Sequence, residues 1–507
     1  MVSKRIAIRT DANSEIGTGH FMRCLTLADE LKRHGAEVCF IARGLPVHLK
    51  QMLQEKNFVF HALPENIITE CIEELQHSRW LKTSQHQDAV QTLKLLVNCF
   101  FDWIIVDHYA IDHRWETQIR VAAKKILVID DLADRLHDCD VLLDQNFYHD
   151  AQTRYFDKVP YHCQLLLGPA YALLREEFRE MRKQVKPRTG EVHNVLVFFG
   201  GVDAENLTGI TLKALISLNL NLHIAVVIGQ QHPKTLEIKN LCKSHHFELH
   251  IQTNQIAYLM AQADLAIGAG GSSIWERFCL GLPSICISTA DNQRQQLVDL
   301  KLDGLIIASE HYLNAIEFLD QTLLLIKSES SFQEAMSKKI YQLVDGYGAI
   351  KVGRQIFLQD IEMRLASKLD SKNIFAWRNH PTIRSNSFFP NKIQWAEHEK
   401  WFDQRCGQFN HPILIGEIEN KPIGVVRFEI RENFAEVSIY LVPNSGNHGL
   451  GKNLLIEGER WLKLNHPNVV MVHALVLKEN TSSKKLFTNL HYVQRADTTP
   501  LEFVKQL

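Results

Sequence analysis

The chain has 507 residues, too many for one hydrophobic core, so two or three domains are expected. Hydrophobic residues make up 45% and charged residues 22%, a balance that belongs to ordinary soluble globular proteins and excludes a disordered chain. The 56 lysines and arginines nearly offset 58 aspartates and glutamates, for a net charge of -2, so no nucleic-acid partner is expected.

From residue 4 to about 180, short apolar strands alternate with helical segments. Strands are predicted at Arg5 to Arg9, Glu37 to Ala42, Trp103 to Asp107 and Lys125 to Ile129, with the first helix over 21–34. This pattern implies a mostly parallel sheet covered on both faces, a Rossmann-like half. The first strand and helix are joined by Asp11 to His20, which contains Gly17 and Gly19 and is followed by Arg23. Such a loop brings free backbone N–H groups and the positive end of a helix to the carboxyl edge of the sheet, which suits an anionic ligand. His20 stands beside that positive end, where a neutral imidazole able to accept a proton is favoured, as a general base requires. Further strand ends carry Asp107, His108 and Tyr109, then Asp130 and Asp131, then Asp144 to Asn146, all where ligands of such sheets bind.

A polar stretch over 180–193 with Pro187 and Gly190 reads as a linker. A second strand-and-glycine unit starts at Asn194 and runs into Gly200 and Gly201. Strands at Leu222 to Ile228, Leu265 to Ile267 and Ser284 to Ile287 follow. Gly268 to Ser273 leads into a helix whose entry, at Gly271, Ser272 and Ser273, offers N–H groups and hydroxyls to a diphosphate. Glu276 lies one turn further, where a carboxylate can accept from ribose hydroxyls, and Asn292 and Gln293 follow the next strand toward the same cleft. Residues 357–373 are polar with a helical pattern and predict a connecting helix, with a boundary near 365.

The remainder reads as helices at Ile374 to Arg378 and His398 to Cys406, then strands at Pro412 to Glu419, Pro422 to Ile430 and Ala435 to Leu441. A hairpin turn is expected at Glu419 and Asn420. A glycine turn over 444–452, containing His448, Gly449, Gly451 and Lys452, opens a helix over 451–464. A strand at Val469 to Val476, a helix over 480–489 and a last strand complete the pattern. The ten cysteines show no metal-type spacing and no metal site is expected. No run approaches the roughly 18 apolar residues of a membrane helix, so a cytoplasmic protein without a membrane partner is predicted.

Asp11, Gly17, Gly19, His20 and Arg23, with Arg175, resemble the start of the sugar-nucleotide hydrolases of pseudaminic acid biosynthesis. The stretches around Asp107, Asp130, Asp144 and 168–178 look like the same family. The resemblance implies His20 as catalytic base, with Asp11 and Tyr109 in the catalytic group and a UDP-amino-sugar substrate. The implied substrate-binding residues are Gly17, Gly19, Arg23, Asp107, Gly200, Gly201, Gly271, Ser272, Ser273, Glu276, Asn292 and Gln293. The two halves facing one cleft resemble GT-B glycosyltransferases. The glycine turn and the later Asn480 to Ser483 look like GNAT acetyltransferases, which implies acetyl-CoA as cofactor, met by His448, Gly449, Gly451, Lys452, Asn480 and Ser483. Two positions depart from that pattern: Gly446 replaces the usual arginine or glutamine, and Phe487 the tyrosine that often serves as acid.

The expected fold is therefore α/β: two Rossmann-like halves in a GT-B arrangement, residues 1–182 and 193–357, followed by a GNAT domain over 370–507. The expected function is bifunctional, N-acetylation of a UDP-linked 4-amino sugar followed by hydrolysis to UDP and the free diacetamido sugar. A UDP-sugar glycosyltransferase and a sugar-nucleotide-binding protein with a degenerate acetyltransferase domain are the competing readings.

Overall fold

The computed structural model describes residues 3–13, 15–65, 75–96, 99–218, 221–309, 315–328, 330–357, 361–418, 420–443, 445, 450–495 and 500–507. Contacts divide the chain into two units, Met1–Phe357 and Leu358–Leu507.

In the first unit, β1 (Arg5–Thr10), β2 (Glu37–Arg43), β3 (Val59–Leu63), β4 (Phe101–Asp107), β5 (Ala123–Ile129), β6 (Val141–Asp144) and β7 (Gln164–Leu167) form one sheet. Its order is β3-β2-β1-β4-β5-β6-β7, and every pairing is parallel. The near-continuous apolar character of these strands follows from burial on both faces. In β4, Trp103 and Ile105 join one core while Ile104 and Val106 join the other. Chain direction across the sheet reverses between β1 and β4, so the loops leaving these two strands diverge and open a crevice between them.

A second parallel sheet follows, built from β8 (Asn194–Phe198), β9 (His223–Ile228), β10 (Glu248–Ile251), β11 (Leu265–Ala269), β12 (Ser284–Ile287) and β13 (Ile307–Ser309), in the order β10-β9-β8-β11-β12-β13. Its switch point lies between β8 and β11. Two segments tie the halves together. Helix Glu176–Arg182 places Phe178 in the core of the second half beside Trp275 and Phe278. Helix Gly348–Phe357 returns and buries Ala349, Val352 and Ile356 among Leu27 and Leu31 of the first. That return starts at a glycine because a Cβ on Gly348 would come within 2.1 Å of the Ala172 carbonyl oxygen.

The second unit is a mixed sheet of β14 (Glu362–Leu365), β15 (Ile413–Ile418), β16 (Lys421–Arg431), β17 (Phe434–Leu441), β18 (Met471–Val476), β19 (Val493–Gln494) and β20 (Leu501–Gln506), in the order β14-β15-β16-β17-β18-β20-β19. All pairings are antiparallel except β17 with β18. Helices Ser371–Arg378 and Trp395–Arg405 cover one face, where Ile374 and Phe402 meet Ile413, Ile415 and Val425. Helices Leu450–Asn465 and Thr481–Thr488 cover the other with Leu454, Leu455, Leu462 and Phe487. The parallel β17–β18 pairing stops at Val437 and Ala474, so Ser438 to Leu441 leave their partner and a wedge opens between the strands.

The connecting helix expected over 357–373 is not what the described residues form. Glu362–Leu365 is a strand paired antiparallel to β15, and a 3₁₀ turn at Lys368–Asp370 leads into an α-helix that begins at Ser371. Ile361 and Met363 alternate onto the apolar core, while Arg364 reaches Glu417 and Asp370. Edge pairing of the sheet thus overrides a helical local pattern. The expected hairpin pairs β15 with β16, with Asn420 at a φ of 60°, while Glu419 lies outside the described residues. Among the described residues no helix is long and apolar enough to cross a membrane.

Candidate functional site

Helix Gly19–Arg33 starts after Thr18 with no side-chain cap, so its first N–H groups remain open at the carboxyl edge of β1. The preceding loop is held by its own bonds: Gly17 N–H donates to the Asn13 carbonyl at 2.9 Å, and the Asn13 side chain accepts from Glu15 and Ile16 N–H, each at 2.8 Å. His20 is the second residue of the helix. Its Nδ1 lies 2.6 Å from Oδ1 of Asp107 at the end of β4, across the switch point. Asp107 also receives Arg23 Nε and Nη2, both at 2.7 Å. Burial alone would raise the Asp107 carboxyl, but Arg23 and then His20 outweigh it and hold it below the usual carboxylate range. An ionised carboxylate can only accept, so His20 Nδ1 carries a hydrogen, and Nε2 is the nitrogen left to take up a proton. Among the described residues Nε2 has no hydrogen-bond partner and is not sealed from solvent.

Tyr109 packs edge-on against His20 with ring centroids 4.5 Å apart, and its hydroxyl donates to Asp131. Burial, then Asp131, pushes the phenol well above its usual range, so it stays protonated. Arg23 Nη1 also reaches Asp131, at 3.1 Å. Trp80 stacks on Tyr109 at 5.4 Å, with His77 4.6 Å from Trp80, so an aromatic wall stands over His20. Neither Trp80 nor His77 was singled out by sequence; they sit in a short turn without periodicity, and only the aromatic type hinted at a ligand wall.

Asp11 is turned away from this opening. It is 2% exposed, binds Arg9, accepts the Arg43 N–H at 2.7 Å and lies 3.2 Å from His108 Nε2. Its place is beneath the loop, bracing it.

The second half brings its own loop to the same place. A Cβ on Gly19 would lie 4.0 Å from Ser272 Oγ, so the two glycine loops face each other almost in contact. No acceptor among the described residues takes the N–H groups of Gly271, Ser272 and Ser273. Gln293 accepts the Thr289 N–H at 3.1 Å and borders Gly271, while Asn292 Nδ2 reaches the Tyr109 hydroxyl at 3.4 Å. Trp275 Nε1 donates to Asn146 Oδ1 at 3.2 Å, a further bond between halves. Glu276 receives Arg175 at 3.3 Å, and burial raises its carboxyl. Gly200 and Gly201 leave β8, adjacent to β11, on the same edge. Asp203 fixes that loop by accepting Leu207 and Thr208 N–H at 2.8 and 2.9 Å and pairing with His232. The structure thus brings His20, Arg23, Asp107, Tyr109, Ser272, Asn292 and Gln293 together.

In the second unit, His448, Gly449 and Gly446 lie outside the described residues. Gly451 and Lys452 open helix Leu450–Asn465, and burial, then Lys505, lowers the Lys452 ammonium. Asn480 caps helix Thr481–Thr488 by accepting the Ser483 N–H at 3.0 Å. Phe487 is 3% exposed and packs on Tyr492 and Phe503. The Tyr492 hydroxyl is spent on Glu459 at 2.6 Å, and His398 Nε2 on the Ser371 carbonyl at 2.9 Å. Both belong to the core rather than to a cleft.

Residues 194–347 match the glycosyltransferase family 28 C-terminal domain, and residues 360–493 the acetyltransferase (GNAT) domain. MJ1062 of Methanocaldococcus jannaschii is 26% identical over 505 residues, with 96% of each chain covered. The UDP-2,4-diacetamido-2,4,6-trideoxy-beta-L-altropyranose hydrolase of Campylobacter jejuni is 27% identical over 302 residues, 59% of this chain and 97% of that one. The crystal structure of Acinetobacter baumannii MurG shares the fold of the first unit, with a TM-score of 0.51 at 15% identity over 70% of this chain and 99% of that one. The fold is therefore α/β, two Rossmann-like halves in a GT-B arrangement followed by a GNAT domain. The chain is a homologue of the pseudaminic-acid UDP-sugar hydrolase that carries a GNAT acetyltransferase domain.

Proposed function

We propose that the chain is a bifunctional enzyme of pseudaminic acid biosynthesis, in which the second unit acetylates a UDP-linked 4-amino-4,6-dideoxy-N-acetyl-β-L-altrosamine and the first hydrolyses the product. The observation that carries the hydrolase reading is the His20–Asp107 pair, set directly after Gly19, whose loop faces that of Ser272 in the second half. Similarity to the Campylobacter hydrolase over nearly that enzyme's whole length supports it.

Water is activated by His20 Nε2, which takes its proton as oxygen attacks the anomeric carbon. The bond from that carbon to the UDP oxygen breaks and its electron pair leaves on the β-phosphate. Asp107 stabilises the imidazolium and, with Arg23, keeps the ring oriented. N–H groups at Gly271, Ser272 and Ser273, with the Gly17–Gly19 and Gly200–Gly201 loops, meet the departing diphosphate, and Glu276 the ribose. Tyr109, Asn292 and Gln293 line the sugar. Asp11 acts through the loop that it braces, as a positioning residue.

For acetyl transfer, the amine attacks the thioester carbonyl of acetyl-CoA, the carbon–sulfur bond breaks with its electron pair leaving on a thiolate, and the proton the amine loses passes through solvent to that thiolate. The unpaired edge of β17 at Ser438 to Leu441 suits an extended amide chain such as pantetheine, while Gly451, Lys452, Asn480 and Ser483 flank the expected pyrophosphate and pantetheine positions. The match to a glycosyltransferase domain favours one second reading, transfer to a sugar acceptor. Mass spectrometry of the UDP-linked 4-amino sugar with and without acetyl-CoA separates them: acetylated product followed by free UDP without any added acceptor is expected, and dependence of UDP release on an acceptor would replace hydrolysis by transfer.

A further inference from the structure

The second unit holds two arginines that the account so far does not use. Arg427 on β16 lines a cleft with Trp401, Arg405, His411, Glu436 and Ser438, and its guanidinium sits 5.2 Å over the Trp401 ring. Arg378, at the end of helix Ser371–Arg378, stands close enough to feel the Arg427 charge, and both cations act on Tyr440. Neither guanidinium has a carboxylate within ion-pairing distance among the described residues. Arg427 Nη2 donates to Ser438 Oγ at 3.3 Å and Arg378 Nη2 to Ser387 Oγ, both neutral groups. Arg427 Nε and Arg378 Nη1 are buried atoms with no hydrogen-bond partner among the described residues.

Two half-buried cations that feel each other's charge, each with an orphaned N–H group, are an unfavourable arrangement. Burial pushes both guanidinium groups down, and for Arg378 the neighbouring Arg427 adds to it. Glu429 and Glu436 also approach Arg427 and favour its charge, but they face each other across β16 and β17 without closing an ion pair on it. Arg405, the next cation along the cleft, is turned to His411. An anion with several acceptor oxygens would satisfy both orphaned donors at once, and the planar fork of arginine fits phosphate bidentately. The position is also informative. Ser438 and Tyr440 belong to the part of β17 that has left β18, so the arginines border the wedge in which the thioester is expected.

We propose that Arg378 and Arg427 form a phosphate-binding subsite for the acetyl acceptor, so that the amine acetylated by the second unit enters bearing a phosphate or diphosphate, with Trp401 as the flanking aromatic surface. This rests on the acetyl-transfer reading of the second unit and specifies how its acceptor is held.

The test compares Arg378→Met and Arg427→Met in the full chain, with Arg427→Lys as the conservative control. Acetylation is followed with the UDP-linked 4-amino sugar and with the same amino sugar lacking UDP. Loss of a charged contact to phosphate predicts a KM for the UDP-linked acceptor raised about 30-fold, with kcat and the acetyl-CoA KM nearly unchanged, and partial recovery in the lysine variant. The UDP-free amine should react equally in all variants. Because the arginines have no ion pair to lose and each donates only to a serine hydroxyl, the methionine variants should melt within a few degrees of the parent. An equal loss with the UDP-free amine, or a rise confined to the acetyl-CoA KM, overturns the proposal; the latter would assign the arginines to the cofactor's phosphates. If the parent does not acetylate this sugar at all, the functional reading fails but the subsite is still read directly. Inorganic pyrophosphate should raise the melting temperature of the second unit in the parent and not in the Arg378→Met, Arg427→Met double variant, and equal protection of both refutes it.

Discussion

Replacing Asp107 by Asn probes the hydrolase site most sharply, because one carboxylate serves both His20 and Arg23. It is fully buried and accepts from His20 at 2.6 Å and from Arg23 twice at 2.7 Å. An amide has one acceptor oxygen and one donor nitrogen, so whichever way it turns, an N–H meets either the imidazole N–H or the guanidinium. The lost interaction with a forming imidazolium is worth about 3–5 kcal/mol at an effective dielectric near 20, so kcat for hydrolysis should fall by about 10²–10⁴. Stability should fall by about 2–3 kcal/mol, less than for a fully orphaned buried cation, because Arg23 keeps Asp131 at 3.1 Å. The assay is UDP release from the diacetamido UDP-sugar at saturation, with UDP affinity measured in parallel by calorimetry. UDP should bind within about threefold of the parent, since the diphosphate meets the backbone N–H groups instead. A folded Asp107→Asn protein that retains kcat within tenfold would refute the role given to the pair.

His137 is buried between Glu116 and Asp130; burial would lower it, but these carboxylates raise it to about 9. A histidine raised on folding stabilises fully below its unfolded value and loses that contribution as pH climbs through the folded one. The first unit should therefore lose about 3 kcal/mol between pH 6.5 and 9, and His137→Gln should shrink the drop seen by calorimetry; an unchanged drop argues against it. Trp80→Ala removes the ring stacked on Tyr109 and should raise the KM for the UDP-sugar about tenfold with UDP binding intact, whereas equal weakening of UDP would place Trp80 elsewhere. Phe487→Tyr should not accelerate acetyl transfer and should cost about 1–2 kcal/mol, because the new hydroxyl enters a core formed with Tyr492 and Phe503; a faster enzyme would show that this position reaches the thioester.

Local pattern carried the two parallel sheets because a strand buried on both faces has a run of apolar residues that survives any tertiary context, as in Ile104 to Val106. It carried the glycine loops for a related reason: Gly17 and Gly200 have φ values of 76° and 95°, which few other residues accept. It failed at Glu362–Leu365, where four residues of helical character are drawn into a sheet edge by β15, a partner about 50 positions further along the chain. The site was legible as residue types at strand ends. Their pairing was not: Asp107 meeting His20 requires β4 to lie beside β1, and Asp11 bracing the loop requires Arg9, Arg43 and His108 to converge. Trp80 and Arg427 escaped notice because no periodicity marks a residue whose meaning lies in what it faces, whereas Arg378 stands in a Trp377-Arg378-Asn379 run that resembles the amino-sugar-nucleotide acetyltransferases.

The central claim is that His20 directs water at the anomeric carbon. The most direct measurement is hydrolysis of the diacetamido UDP-sugar in ¹⁸O-water without any acceptor, reading the released UDP by mass spectrometry. Attack at carbon leaves the UDP unlabelled, and His20→Asn abolishes its release while still binding UDP. Label on the β-phosphate of UDP, or unimpaired release by His20→Asn, contradicts the account.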